Sequence, residues 1–313
     1  MTQKRFDVCV IGELNPDLIL TGDVVPEFNQ TEKLVNQATL VIGSSSAIFA
    51  CGAARLGLRV AFAGKVGQDE FGEFMRHSLE DAGIDTSAII TDTSLKTGLS
   101  VILSTGTDRA ILTFPGTIPQ LHSDEIDPAW ITQARHLHIG SYYLQDALRP
   151  GLPELFILAR QAGLSTSLDP NYDPSENWDG ELVNLLSKID IFMPNMKECC
   201  AIARSPDLDR AAEYFLQHVG QVAVKMGAAG ALARQGDSIT RVPALPTDIV
   251  DTVGAGDSFD AGFIYGFLHG WDLLRTLQMA TVCGSLSTRK AGGTAAQPDL
   301  YEALSYLSQI TED

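Results

Sequence analysis

The sequence predicts an α/β domain with a mainly parallel central sheet and a small β lid. Short β-branched runs alternate with longer helical patterns, and two stretches break that rhythm by joining strand directly to strand. The chain is also long enough, at 313 residues, to bury roughly three quarters of its unfolded surface around one core.

Strands are expected at Val8–Ile11, 60–63, His136–Ile139, 166–168, 189–193 and 222–226, each a short apolar run. Helical periodicity lies between them at 46–56, 70–82, 153–161, 182–186 and 211–218. Such alternation requires right-handed crossovers, and so a parallel sheet covered on both faces. The exceptions are 18–40 and 97–114, where strands such as Leu99–Ser104 and 110–114 follow one another without a helix. Excursions of that kind, spanning about 15–41 and 95–117, can pair into one sheet that closes over a site. No repeat, low-complexity tract or Pro/Ser linker divides residues 1–313, so a single domain is expected.

Charge narrows the function. Acidic residues outnumber basic ones 39 to 22, giving −17, and nucleic acid or an anionic membrane would demand clustered Lys and Arg instead. A phosphate-bearing ligand stays compatible, because backbone amides and a metal ion can hold it. The five cysteines, Cys9, Cys51, Cys199, Cys200 and Cys283, form no CxxC pair and are odd in number, as expected of a reducing, cytoplasmic protein. Residues 1–8 carry Lys4, Arg5 and Asp7 rather than an apolar signal core. No apolar run approaches the ~18 residues of a membrane span.

In open α/β sheets ligands bind beyond the carboxyl ends of the strands. Asn15 and Asp17, Asp169 and Asn171, and Asn195 and Glu198 all follow predicted strands there. The segment 251–259, DTVGAGDSF, carries the most chemistry. Phe259, Phe263 and Phe267 recur at helical spacing, so Gly254, Ala255 and Gly256 open a helix whose first amides lack internal partners. That makes an anion hole at the positive end of a helix dipole. Asp257, in the first turn, either takes a proton from an attacking hydroxyl or merely caps the helix; spacing alone leaves both readings open.

Competing motifs are absent. Gly64-Lys65 lacks the flanking Gly and Ser/Thr of a phosphate loop, since residues 59 and 66 are Arg and Val. Gly12-Glu13-Leu14-Asn15 is not a dinucleotide fingerprint. His136 and His138, flanking Leu137, are expected to pack within the sheet rather than ligate metal.

In these residues the sequence resembles the ribokinase-like (PfkB) carbohydrate kinases. DTVGAGDSF at 251–259 is similar to their C-terminal signature, GSSSAIFACGAARLG at 43–57 to their first glycine-rich signature, and GKVGQDEFG at 64–72 to the stretch that follows it. GELNPDLIL at 12–20, Asp169-Pro170-Asn171, Asn195-Met196-Lys197-Glu198 and VAVKMGAAGAL at 222–232 have counterparts in the same order. The resemblance implies a three-layer fold and a kinase using ATP and Mg2+. It implies Asp257 as general base, with Gly254, Ala255 and Gly256 as the anion hole. Asn195 and Glu198 would hold hydrated magnesium, and Lys225, Gly227 and Gly230 would lie along the nucleotide. Asn15, Asp17, Gly43, Ser44 and Asp169 would face the acceptor. A K+ ion would sit among Asp251, Val253, Thr288, Ala291 and Gly293. Exposed lid strands would make a homodimer.

Departures bear on the acceptor. The second glycine of the first signature is Ser44, and its asparagine is Ile48, which cannot hydrogen-bond a sugar hydroxyl. Tyr172-Asp173 stands where Tyr-Arg is common. Between Gly12 and Thr31 there is no Lys or Arg, and Gly98 follows Thr97 where phosphosugar kinases tend to carry arginine. Arg109, after Gly106-Thr107-Asp108, reads as a solvated turn residue. Lys33 and Lys96 also remain in the lid, and Lys65, in an expected strand-to-helix connection, is the strongest remaining candidate for a phosphate clamp. The expected acceptor is a small neutral sugar. A nucleoside, for which Ile48, Phe49 and Phe114 would supply an apolar pocket, is one alternative; a silent sugar-binding relative is another.

Overall fold

The computed structural model describes residues 4–105, 108–178 and 181–311. Its central sheet has nine strands. In chain order they are β1 (Val8–Ile11), then, after the lid strands β2 (Pro16–Thr21) and β3 (Gln37–Ile42), β4 (Val60–Gly67) and β5 (Asp85–Asp92). The lid resumes with β6 (Leu99–Ser104) and β7 (Arg109–Phe114). The main sheet continues with β8 (His136–Ile139), β9 (Ser165–Leu168), β10 (Ile191–Phe192) and β11 (Gln221–Lys225), and ends with β12 (Ala231–Gln235) and β13 (Ser238–Val242).

The sheet order is β13-β12-β11-β10-β9-β8-β1-β4-β5, parallel from β11 to β5 and closed at one edge by an antiparallel hairpin. Parallel strands buried on both faces need continuous apolar sequence, which β1 and β8 provide. Two cores result. Ser45–Arg55, Glu70–Asp81, Ala255–Leu268, Leu273–Ser287 and Leu300–Thr311 cover one face. Leu152–Gln161, Glu181–Leu186, Met196–Ile202 and Leu208–Leu216 cover the other. No helix among the described residues is long and apolar enough to cross a membrane.

The lid is a separate four-stranded sheet ordered β3-β2-β6-β7, with β2 and β6 parallel and the outer pairs antiparallel. Its two excursions leave the main sheet after β1 and after β5. Leu112 and Phe114 on β7 are more than half exposed.

The structure also adjusts the expected elements. The strand expected at 189–193 contracts to Ile191–Phe192, and Lys65 lies inside β4 rather than after it. His136 and His138 are buried sheet residues, as expected. His136 bonds Ser165 and Ser167 at 2.7 Å each, and His138 stacks on Phe49 with centroids 3.7 Å apart.

Candidate active site

The strand ends, the lid and the helix Ala255–Leu268 surround a cleft of about 600 Å³. The helix begins at Gly254, whose φ of 71° is left-handed. A Cβ there would meet Gly293 Cα at 2.6 Å and Ile48 Cγ2 at 2.9 Å, so glycine is required by both conformation and space. No side chain among the described residues caps this helix, and Gly254, Ala255, Gly256 and Asp257 all line the cleft. Asp257 is 9% exposed. Burial, reinforced by the charge of Asp169, pushes its carboxyl well above the usual carboxylate range, making it a stronger base.

Beside it lies a buried ion cluster. Lys225, at the end of β11, places Nζ 2.8 Å from Asp169 Oδ2 and 3.0 Å from Asp260 Oδ2. Its side chain passes Gly256, with Cδ 3.4 Å from where a Cβ would stand. Burial opposes charge on both Asp169 and Lys225, yet their mutual attraction wins: the carboxyl is held below its usual range and the ammonium above. Lys225 and Asp169 both face the cleft, joined by Gly227 and Gly230.

On the lid side, Asn15 Nδ2 donates to Asp17 Oδ1 at 3.4 Å and to Ser100 Oγ at 3.3 Å. Burial lifts Asp17 to about 7. Gly43 does not line the cleft; a Cβ there would collide with the Asp17 carboxylate. Ser44 takes the left-handed conformation (φ 65°) that its glycine counterpart would adopt without strain. In return its hydroxyl donates to Glu13 O at 2.6 Å and accepts from Ala47 N at 3.0 Å, capping the helix Ser45–Arg55. Ile48 is buried against Gly254 and Gly293 while lining the cleft.

The sequence model of the pfkB family carbohydrate kinases matches residues 5–300. The chain belongs to the pfkB family of carbohydrate kinases. A 5-dehydro-2-deoxygluconokinase from Geobacillus thermodenitrificans (strain NG80-2) is 30% identical, covering 98% of this chain and 95% of its own. Among solved structures, Arabidopsis thaliana ribokinase complexed with ribose and ATP superposes with a TM-score of 0.84 at 22% identity, covering 96% of this chain and 98% of its own. Adenosine kinase from Sinorhizobium meliloti gives the same TM-score, 0.84, at 23% identity and coverage of 98% and 99%. This kinase therefore has the ribokinase-like fold and is a phosphotransferase acting on an alcohol group. Equal likeness to a ribokinase and an adenosine kinase means that fold does not select the acceptor.

Within this carbohydrate kinase, Asn195 and Glu198 form a capping box: Asn195 Oδ1 accepts from Glu198 N at 2.9 Å, and Glu198 Oε2 accepts from Asn195 N at 2.8 Å. Burial and the charge of Asp169 lift Glu198 to about 7. No group of three or more acidic, His or Cys ligands occurs among the described residues. The donor set suits a hydrated magnesium ion that arrives with phosphates rather than a protein-caged one. The segments expected around a K+ ion do meet. Asp251 Oδ2 accepts from Gly292 N at 2.9 Å, and Thr288 O accepts from Val250 N at 2.9 Å and Asp251 N at 3.1 Å. Those two bonds occupy both lone pairs of the Thr288 carbonyl, leaving the carbonyls of Asp251, Val253, Ala291 and Gly293 as candidates.

Several expectations change here. Residues 106 and 107 lie outside the described residues, but Arg109 is no free turn residue. It opens β7, lines the cleft, and reaches Asp251 Oδ1 at 3.2 Å and Thr252 Oγ1 at 3.3 Å. Its position could not be read locally, because its partners are more than a hundred residues away. Lys65 is paired with Glu125 at 2.7 Å and does not line the cleft, so it is no clamp. Phe49 is core and Phe114 faces outward; the aromatic base pocket loses both, and Ile102, Ile111, Ile118 and Leu144 supply the apolar lining instead. Glu13 joins the candidate site beyond the sequence expectations: it is buried, lines the cleft and immediately follows the glycine after β1.

Proposed function

We propose that this kinase transfers the γ-phosphoryl group of ATP to a hydroxyl of a small uncharged sugar, with Asp257 as general base. The observation that carries the reading is Asp257 itself, a buried carboxylate in the first turn of an uncapped helix at the floor of the cleft. Its raised basicity suits it to take the acceptor proton as the hydroxyl attacks. The Gly254-Ala255-Gly256 turn, with the helix dipole behind it, would form the anion hole that stabilises charge on the transferring group. Bound magnesium neutralises phosphate charge, and Asn195 and Glu198 would hold its hydration shell. Gly227 and Gly230 would border the nucleotide.

An uncharged acceptor is favoured because the lid side of the cleft presents Glu13, Asn15, Asp17 and Ser100, and among the described residues lining it the lid cation, Arg109, is paired with Asp251. Asp173, where an arginine is common, instead accepts from Ser175 N at 2.9 Å and Trp178 N at 2.7 Å within its own turn. An ATP-consumption screen over free sugars, nucleosides, sugar phosphates and sugar acids tests this. The highest kcat/KM is expected for a free sugar; a higher value for fructose 6-phosphate or tagatose 6-phosphate would overturn the reading. A second reading, an acceptor carrying a carboxylate as in 5-dehydro-2-deoxygluconate, draws on Arg109, the one arginine among the described residues that line the cleft. It would win if a sugar acid led the screen and Arg109→Gln raised its KM selectively.

A monovalent cation held by carbonyls of Asp251, Val253, Ala291 and Gly293 would stiffen the turn that leads into Gly254. Turnover is then expected to be higher in potassium than in a bulky organic cation at matched ionic strength. Equal rates would exclude the site.

A further inference from the structure

One buried side chain ties the helix Ser45–Arg55 to the helix Ala255–Leu268 and has no part in the steps above. Gln297 is 1% exposed. Its Nε2 donates to Ile48 O at 2.9 Å on the first helix and to Ser258 Oγ at 3.0 Å on the second. A carbonyl oxygen can only accept, so the carboxamide has one orientation. Its Oε1 then has no partner among the described residues. A buried acceptor that the protein leaves unpaired is a cost to folding, which a methionine of similar length would avoid. Packing therefore does not explain the choice of glutamine. The first helix makes room for it, since a Cβ on Gly52 would meet Nε2 at 2.9 Å.

Both partners of Gln297 bear on the glycine turn. The Ile48 side chain stands in the angle between two glycines: a Cβ on Gly254 would meet its Cγ2 at 2.9 Å, and one on Gly293 would collide with its Cδ1. Ser258 N donates to Gly254 O at 2.9 Å, so Ser258 holds the same turn from the helix side. Gln297 N donates to Thr294 O at 3.3 Å, so the carboxamide hangs from the bend that follows Gly293. We propose that Gln297 is a positioning residue for phosphoryl transfer: by joining Ile48 to Ser258 it seats Ile48 against Gly254 and fixes the turn 254–256. This rests on that turn being the anion hole that receives the transferring group.

Gln297→Met keeps the length of the side chain and removes both donated bonds. Its kcat is expected to fall about tenfold to a hundredfold, the scale of a misplaced reacting group, with KM for ATP unchanged. Binding separates aim from fold. ADP affinity is measured with magnesium and the best acceptor of the screen, with and without aluminium fluoride, which stands in for the phosphoryl group in flight. Wild type should bind ADP more tightly with the fluoride, as transition-state mimics do. Gln297→Met should keep its affinity for ADP alone and lose most of that gain. Ser258→Ala should lose part of it, and the double variant no more than Gln297→Met. An undiminished gain in Gln297→Met, a further loss in the double variant, or a drop in affinity for ADP alone that accounts for the whole effect would overturn the inference. Should Gln297→Met not fold, Ser258→Ala decides, and an undiminished gain there overturns it. A wild type without any gain sinks the anion-hole reading and this inference with it; a wild-type gain that Gln297→Met retains sinks the inference alone.

Discussion

Asp257→Asn is expected to lower turnover by about 10²- to 10⁴-fold, the range for loss of a general base. A thousandfold loss corresponds to about 4 kcal/mol of barrier. Asparagine keeps the shape and helix position but cannot take the acceptor proton, so nucleotide affinity should persist. In the wild type the base must be deprotonated, and burial has raised its carboxyl well above the ordinary range. The rate should therefore fall on acidification at a pH above the ~4 of an unperturbed aspartate. Retention of more than about a tenth of wild-type turnover would remove Asp257 from the role, since even the smallest general-base contributions exceed that.

Lys225→Met is expected to destabilise the fold by about 3–5 kcal/mol, the cost of removing one partner from a buried ion cluster. Asp169 and Asp260 are 5% and 1% exposed, and the ammonium at 2.8 Å and 3.0 Å is their counter-charge. Without it, burial raises the Asp169 carboxyl and pushes Asp260, already raised by burial, higher still, so the folded variant binds protons that the unfolded chain releases. Its stability then falls as pH rises, and the deficit against wild type should shrink on acidification. Denaturant unfolding at two pH values measures this. A loss below about 1 kcal/mol, typical of an exposed pair, would mean that the cluster is hydrated.

The candidate base and anion hole could be proposed from sequence because their residues are contiguous: glycines, the helix start and Asp257 fall within six residues, 252–257. The sheet rhythm was legible because parallel strands are continuous apolar runs. Asn171 was visible only as one of several polar residues after strands. Its partners Ser45 and Ser141 are 126 and 30 residues away, and Ser141 meets Glu13 across 128. Lys225 was expected along the nucleotide, and nothing local indicated Asp260, 35 residues on, as its partner. The strand Asp85–Asp92 gave no clear signal because it is a half-exposed edge with polar residues at both ends. The helix Leu273–Ser287 is buried on nearly every side, yet carries Thr, Gln, Ser and Gly, so it shows no polar face to mark its period.

In the proposed reaction the γ-phosphoryl group passes from ATP directly to a sugar hydroxyl, whose proton Asp257 takes. Single-turnover transfer from γ-labelled ATP, run with the best acceptor from the screen, tests it most directly by following where the label goes. Wild-type enzyme should place the label in a sugar phosphate ester, and Asp257→Asn should bind the same nucleotide while leaving the label in ATP. Label released from the wild type as inorganic phosphate, or an ester formed equally fast by Asp257→Asn, would contradict the account.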